Sequence, residues 1–219
     1  MNRLVVFDCD GTLVDSQANI VRAMEIAFDI HRLPPPDPHA TRRVVGLSLV
    51  QAMCALLPDN DPALHEALAE SYKRAFQTLR ADGHVNEPLF PGIARLLDEI
   101  DARGWLMGVA TGKSNRGLGL CLAHHGIGSR FVTLQTADRH PSKPHPAMLN
   151  AAMAEAGATP QATLMIGDTS FDMAMGCAAG ARSVGVTWGY HDAHELHEAG
   201  AQYVIDTADA LIALMEEPV

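Results

Sequence analysis

No stretch of the 219-residue chain comes near the roughly 20 consecutive apolar residues that a membrane span requires. Strand-like residues begin almost at Met1, which leaves no room for a cleavable leader, so a cytoplasmic location is expected. The chain also lacks any paired CxxC: its four cysteines, Cys9, Cys54, Cys121 and Cys177, are widely spaced. That spacing suggests neither a disulfide framework nor a zinc knuckle, and buried thiols in a reducing compartment are expected instead. Clusters of Lys and Arg are missing too, and the formal net charge is -10. Nucleic acid and anionic lipid both need an electropositive face, so neither is expected as a partner. An anionic substrate would have to meet a local positive site.

What is present is the composition of a globular protein, 47% hydrophobic and 19% charged, in a chain long enough to bury a core. Short continuous apolar runs recur at Leu4–Phe7, Leu106–Ala110, Phe131–Leu134, Thr163–Ile166, Ser183–Val186 and Tyr203–Ile205. Such runs fit strands buried on both faces. Helical patterns alternate with them at Ile93–Ala102, Arg116–His124, Ala147–Ala156, Ser170–Ala178 and Ala208–Met215, predicting an α/β fold with a doubly wound, Rossmann-like parallel sheet. One interval breaks the rhythm. From Ser16 to Gly83 the patterns are helical only, at Ile20–Ile30, Leu47–Leu57 and Ala63–Leu79, separated by Pro34-Pro35-Pro36 and Pro58-Asp59-Asn60-Asp61. An all-helical insertion over residues 16–83 is expected on a core formed by residues 1–15 and 84–219.

Four motifs fall just past the carboxyl ends of expected strands. In Phe7-Asp8-Cys9-Asp10-Gly11-Thr12 the two aspartates lie two apart in extended chain and face one site, with Cys9 turned to the packing side. Carboxylates so close repel unless a cation or proton is shared, although a turn with a helix cap would use the same residues. Thr111-Gly112-Lys113-Ser114 offers a hydroxyl and free N–H groups to phosphate oxygens, or only a cap. It falls one residue short of the spacing between the glycines of a P-loop, which disfavours a nucleotide hydrolase of that type. Lys143, between Ser142 and Pro144, is either a surface lysine or the cation of an acidic site. In Gly167-Asp168-Thr169-Ser170-Phe171-Asp172 the carboxylates lie one helical turn apart and can face one crevice, capping a helix or holding a hard cation.

Taken together, the four motifs resemble those of the haloacid dehalogenase superfamily, in particular its phosphatases with a helical cap after the first motif, and most of all the phosphoglycolate phosphatase group. The resemblance spans essentially the whole chain and is more specific in the sheet region than in the cap. It implies a Mg²⁺-dependent phosphoric monoester hydrolase that acts through a phospho-aspartyl intermediate. It implies Asp8 as nucleophile, Asp10 as acid and then base, and Lys143, Thr111 and Gly112 on the phosphoryl oxygens. Mg²⁺ would be held by Asp8, the Asp10 carbonyl and Asp168, with Asp172 supporting that shell. The implied partner is 2-phosphoglycolate or a similarly small phosphorylated metabolite, and the chain would be a monomer or homodimer. Pyrophosphate and nucleoside monophosphates stay open as substrates, and a non-catalytic phosphate- and metal-binding module stays open as an alternative.

Departures from relatives narrow this. Asp10 is absent in the dehalogenases and is alanine in phosphonoacetaldehyde hydrolases, while the sugar phosphate mutases usually carry arginine where Leu49 stands. Arg42 or Arg43 could reach a substrate carboxylate from the cap, or be solvated surface. His191, His194 and His197 step by three with Glu195 and Glu198 beside them, and an exposed polar helix explains them better than a metal site. The ten methionines follow apolar positions and are expected to fill cores.

Overall fold

Each apolar run becomes a strand, because a run without polar alternation can be buried only between two layers. The computed structural model describes residues 2–215. Its strands are β1 (Asn2–Phe7), β2 (Leu106–Thr111), β3 (Phe131–Thr136), β4 (Ala158–Gly167), β5 (Arg182–Val186) and β6 (Tyr203–Ile205). They form one parallel sheet in the order β3-β2-β1-β4-β5-β6. β1 is central, with Phe7 in register with Val109 of β2 and Ile166 of β4. The order reverses beside β1, and a crevice outside the carboxyl ends of the strands at such a point is where these sheets bind ligands.

Alternation along β1 decides which layer each side chain joins. Val5 and Phe7 pack with Ile93, Leu96, Leu97 and Ile100 of α5 (Ile93–Ala102) and Leu118 of α6 (Asn115–His124). Leu4 and Val6 point the other way, onto Met148, Leu149 and Ala152 of α7 (Ala147–Ala156) and Met175 of α8 (Ser170–Ala178). α9 (Ala193–Glu198) and α10 (Ala208–Met215) complete the layers. Burying one such Leu or Phe contributes about 1.5–3 kcal/mol. Each methionine among the described residues is buried, as expected. The thiols only half follow expectation: Cys9 and Cys121 are buried, but Cys54 is half-buried and Cys177 is exposed near the end of α8. No helix among the described residues is long and apolar enough to cross a membrane.

Between β1 and α5 the chain forms helices α1 (Gln17–Ile30), α2 (Pro38–Arg43), α3 (Leu49–Leu56) and α4 (Pro62–Ala81), with a core of their own that includes Ala23, Met24, Phe28, Met53, Leu68 and Tyr72. Helix α2 lies just past the breaker Pro34-Pro35-Pro36, where the sequence pattern predicts no helix. Asp37 accepts from His39 N and Ala40 N with Pro38 in the first turn, a helix start hidden inside a proline-rich stretch. The two segments joining these helices to the sheet run side by side. Val14 and Leu89 form an antiparallel bridge, Asp15 N donates to Pro88 O at 2.9 Å, and Phe90 N donates to Leu13 O at 3.0 Å. This pairing sets the helices over the carboxyl end of β1.

Candidate active site

Asp8 is the first residue past β1 and is fully buried. One carboxylate oxygen, Oδ1, accepts from Cys9 N at 2.6 Å and lies 3.0 Å from Lys143 Nζ. The other, Oδ2, is buried without a hydrogen-bond partner among the described residues. An orphaned carboxylate oxygen in a dry site is costly unless a cation or a substrate atom meets it. Burial pushes the Asp8 carboxyl up to about 7; Lys143 opposes that rise, and Asp172 and Asp10 add to it.

Lys143 is not a surface lysine, since its side chain is fully buried. Its Nζ donates to Asp172 Oδ1 at 2.6 Å and faces Asp8 Oδ1. Burial alone would lower its pKa, but Asp172 and Asp8 outweigh that and hold it above the ordinary value. Asp172 has a second task, for its Oδ2 accepts from Thr169 N at 3.1 Å and Thr169 Oγ1 at 2.7 Å and closes a capping box at the start of α8. The capping box and the contact with Lys143 therefore coexist on this one aspartate. Asp168 follows β4 and accepts from Thr12 Oγ1 at 2.7 Å and Tyr190 N at 3.0 Å. Burial first, then Asp172 and Asp8, drives its carboxyl well above the usual range. Oxygens of Asp8, Asp168 and Asp172 all lie within 4.8 Å of one another. Hard carboxylate donors around an orphaned oxygen suit a small hard cation such as Mg²⁺, which takes one or two carboxylates and keeps waters.

Gly11 makes this closeness possible. It has φ of +82°, and a Cβ there would sit 2.1 Å from Asp168 Oδ2. Gly11→Ala should lose about 1–2 kcal/mol to the left-handed backbone alone and more to the collision. A urea midpoint within error of the parent's would contradict that.

Asp10 faces the cavity side, where Ser16 Oγ donates to its Oδ1 and Lys113 Nζ lies 2.8 Å away. Lys113 also donates to Glu87 Oε1 at 2.9 Å, and Glu87 is held in addition by Arg80 from the end of α4. Burial would lower Lys113, yet Asp10, Cys9 and Glu87 raise it well above its ordinary value. Lys113 stands within the Thr111–Ser114 motif, but nothing local in that motif assigns it these partners. Thr111 is buried at the end of β2, and Gly112 follows it against the segment after α2, where an added Cβ would meet Leu47 O at 2.5 Å.

Asp8, Asp10, Thr111 and Gly112 line one cavity of about 340 Å³ between the sheet and α1, α3 and α4. Arg42 and Arg43 are not among the residues lining it. Arg43 makes a two-pronged ion pair with Glu195, whose carboxyl it pulls down to about 2. The three histidines are not gathered into one site. His191 Nδ1 accepts from Ser170 N at 3.1 Å, leaving Nε2 as the donor to Arg43 O at 3.3 Å, while His194 faces Glu198 on α9.

Residues 5–186 match the family model described as haloacid dehalogenase-like hydrolase. The chain is 37% identical over 233 aligned residues to a protein of Dickeya dadantii described as probable phosphatase IndB, covering 100% of this chain and 99% of that one. It is 34% identical over 220 residues to a protein of Pseudomonas putida named phosphoglycolate phosphatase, covering 99% of this chain and 80% of the relative. A crystal structure of a hydrolase from Pseudomonas syringae superposes with a TM-score of 0.87 at 27% identity over 100% of both chains.

Proposed function

Because the chain belongs to the haloacid dehalogenase-like hydrolase family, we propose that it is a Mg²⁺-dependent phosphatase that cleaves a small phosphomonoester through a phospho-aspartyl intermediate on Asp8. The observation that carries this reading is the fully buried Asp8, with Lys143 on one oxygen and no partner on the other, beside the carboxylates of Asp168 and Asp172.

In this reading an Asp8 oxygen attacks phosphorus and the bond to the alcohol oxygen breaks, with Asp10 supplying the proton that the departing alkoxide takes up. Asp10 then accepts a proton from the water that attacks the phospho-aspartate, and inorganic phosphate leaves with Asp8 restored. Lys143, Thr111 and the Gly112 N–H bind the phosphoryl oxygens while charge builds on them. Lys113 and Ser16 hold Asp10 at the cavity edge. Mg²⁺, held by Asp8, the Asp10 carbonyl and Asp168 with Asp172 behind them, would supply positive charge that offsets repulsion between the carboxylates and the phosphate. Residues 16–83 act as the cap on a core of residues 1–15 and 84–219. Leu49, which lines the cavity, stands where a mutase would use an arginine, so a hydrolase is favoured. The substrate class is a small phosphorylated metabolite, which includes the 2-phosphoglycolate in the name of the P. putida relative.

Protein stripped with EDTA should hydrolyse p-nitrophenyl phosphate at the background rate and regain turnover when Mg²⁺ is restored. Turnover indifferent to both treatments would overturn the metal dependence. Absence of Mg²⁺-stimulated turnover would favour a binding module over an enzyme.

A further inference from the structure

Above the phosphoryl end the cavity changes character. Asp8, Asp10, Thr111 and Gly112 give it a polar floor, but the facing walls carry Met24 of α1, Val45 and Leu47 of the segment after α2, and Tyr72 and Phe76 of α4. The Tyr72 and Phe76 ring centroids are 6.0 Å apart and tilted by 39°. Three of the four cations that line this space already have anionic partners. Lys113 is held by Asp10 and Glu87, Arg80 by Glu87, and Lys73 by Glu70. Arg116 lines the cavity from the first turn of α6, where it is exposed and water and salt weaken any ion pair. A carboxylate beside the phosphoryl group would lose its water against Val45, Leu47 and Tyr72 without a buried cation to receive it, which is unfavourable. An uncharged apolar group would gain from the same contacts. At about 340 Å³ the space lies within the range of small-molecule sites.

We propose that the alcohol of the natural ester is an uncharged, ring-bearing group seated against Tyr72 and Phe76, with Phe76 as the residue that sets the preference for it. This rests on the phosphatase reading and narrows its substrate class away from 2-phosphoglycolate. Offset or tilted aromatic contacts add to simple burial, which is why a ring is favoured over a chain of similar size.

The test compares kcat/KM of the Mg²⁺-loaded protein for benzyl phosphate, ethyl phosphate and 2-phosphoglycolate. Benzyl phosphate should exceed both others by about tenfold or more, since even one methylene in a hydrophobic pocket is worth roughly 10-fold. In Phe76→Ala the benzyl-to-ethyl ratio should fall about tenfold, while Phe76→Leu, which keeps apolar bulk, should retain most of it. Phe76 also lies 5.5 Å beneath Lys113 Nζ, so its truncation slows both esters, and the ratio alone reads the pocket. A wild-type protein that prefers 2-phosphoglycolate, or shows less than a tenfold benzyl preference, overturns the inference and leaves the phosphatase reading intact. A ratio unchanged in Phe76→Ala does the same. No Mg²⁺-dependent turnover of any of the three esters overturns the phosphatase reading itself, and this inference with it.

Discussion

Asp8→Asn should abolish turnover, by a factor on the order of 10⁴ or more, and at the same time make the metal-free protein harder to unfold. The first effect follows from losing the nucleophile of a covalent mechanism, where single deletions are that severe. The second follows from the site's own electrostatics. Asp8 is buried with its carboxyl raised to about 7, chiefly by that burial. In an unfolded chain it would titrate near 3.8. Below both values the group is protonated in either state and has no effect on folding. As pH rises between them the unfolded state ionises first, so unfolding is favoured; above about 7 the penalty is complete and stays constant. Asn carries no such penalty. The stability advantage of Asp8→Asn should therefore be small near pH 4, grow up to about pH 7 and then level off, as measured by urea midpoints in EDTA. An activity loss below tenfold would remove Asp8 as nucleophile, and a variant less stable than its parent at pH 8 would refute the electrostatic account.

Lys143→Met should act in the opposite sense on stability. Met fills much of the same space, but Asp8 and Asp172 lose the cation that both of them contact. Breaking a buried pair by removing one partner typically costs about 3–5 kcal/mol, because the remaining charge is stranded. Without Lys143, burial and mutual repulsion act on Asp8 unopposed, so its carboxyl rises further above the unfolded value. The penalty again grows as pH climbs and fades on acidification. The gap between parent and variant should be wider at pH 8 than at pH 5. Turnover should fall by about 10²–10³, the usual consequence of losing one preorganised charge at a developing anion. A pH-independent gap would mean that Lys143 acts through packing alone, and parental kcat would remove it from the phosphoryl site.

The motifs that line the candidate site were legible because each is local. Asp8, Thr111 and Asp168 stand at or just beyond the end of an apolar strand, so the strand pattern alone predicts that they converge. Long-range pairing was not legible. Arg43 ends α2, yet Glu195, 152 positions away, takes its guanidinium, and no local pattern announces that match. Lys113 likewise meets Glu87 and Asp10 only after the two connecting segments fold side by side. Complete burial of Lys143 was equally hidden, because lysine composition alone argues for the surface. In the helical region, α2 was missed because Asp37-Pro38 starts a helix immediately behind residues that end one.

The central place of β1 has a consequence for biogenesis. Leu4 pairs with Leu106 on one side and with Thr163 on the other. The strand that leads to Asp8 precedes both of its neighbours in the chain and is enclosed only when the second of them, β4, has followed β2 and β3 out of the ribosome. The contacts of α1 with α4, by contrast, close within the first 81 residues. The helical region can consolidate while β1 waits as an unpaired apolar segment, and non-local pairing of this kind is slow once it starts. For that interval the segment Leu4–Phe7 is an unpaired apolar stretch that stands to gain from a chaperone.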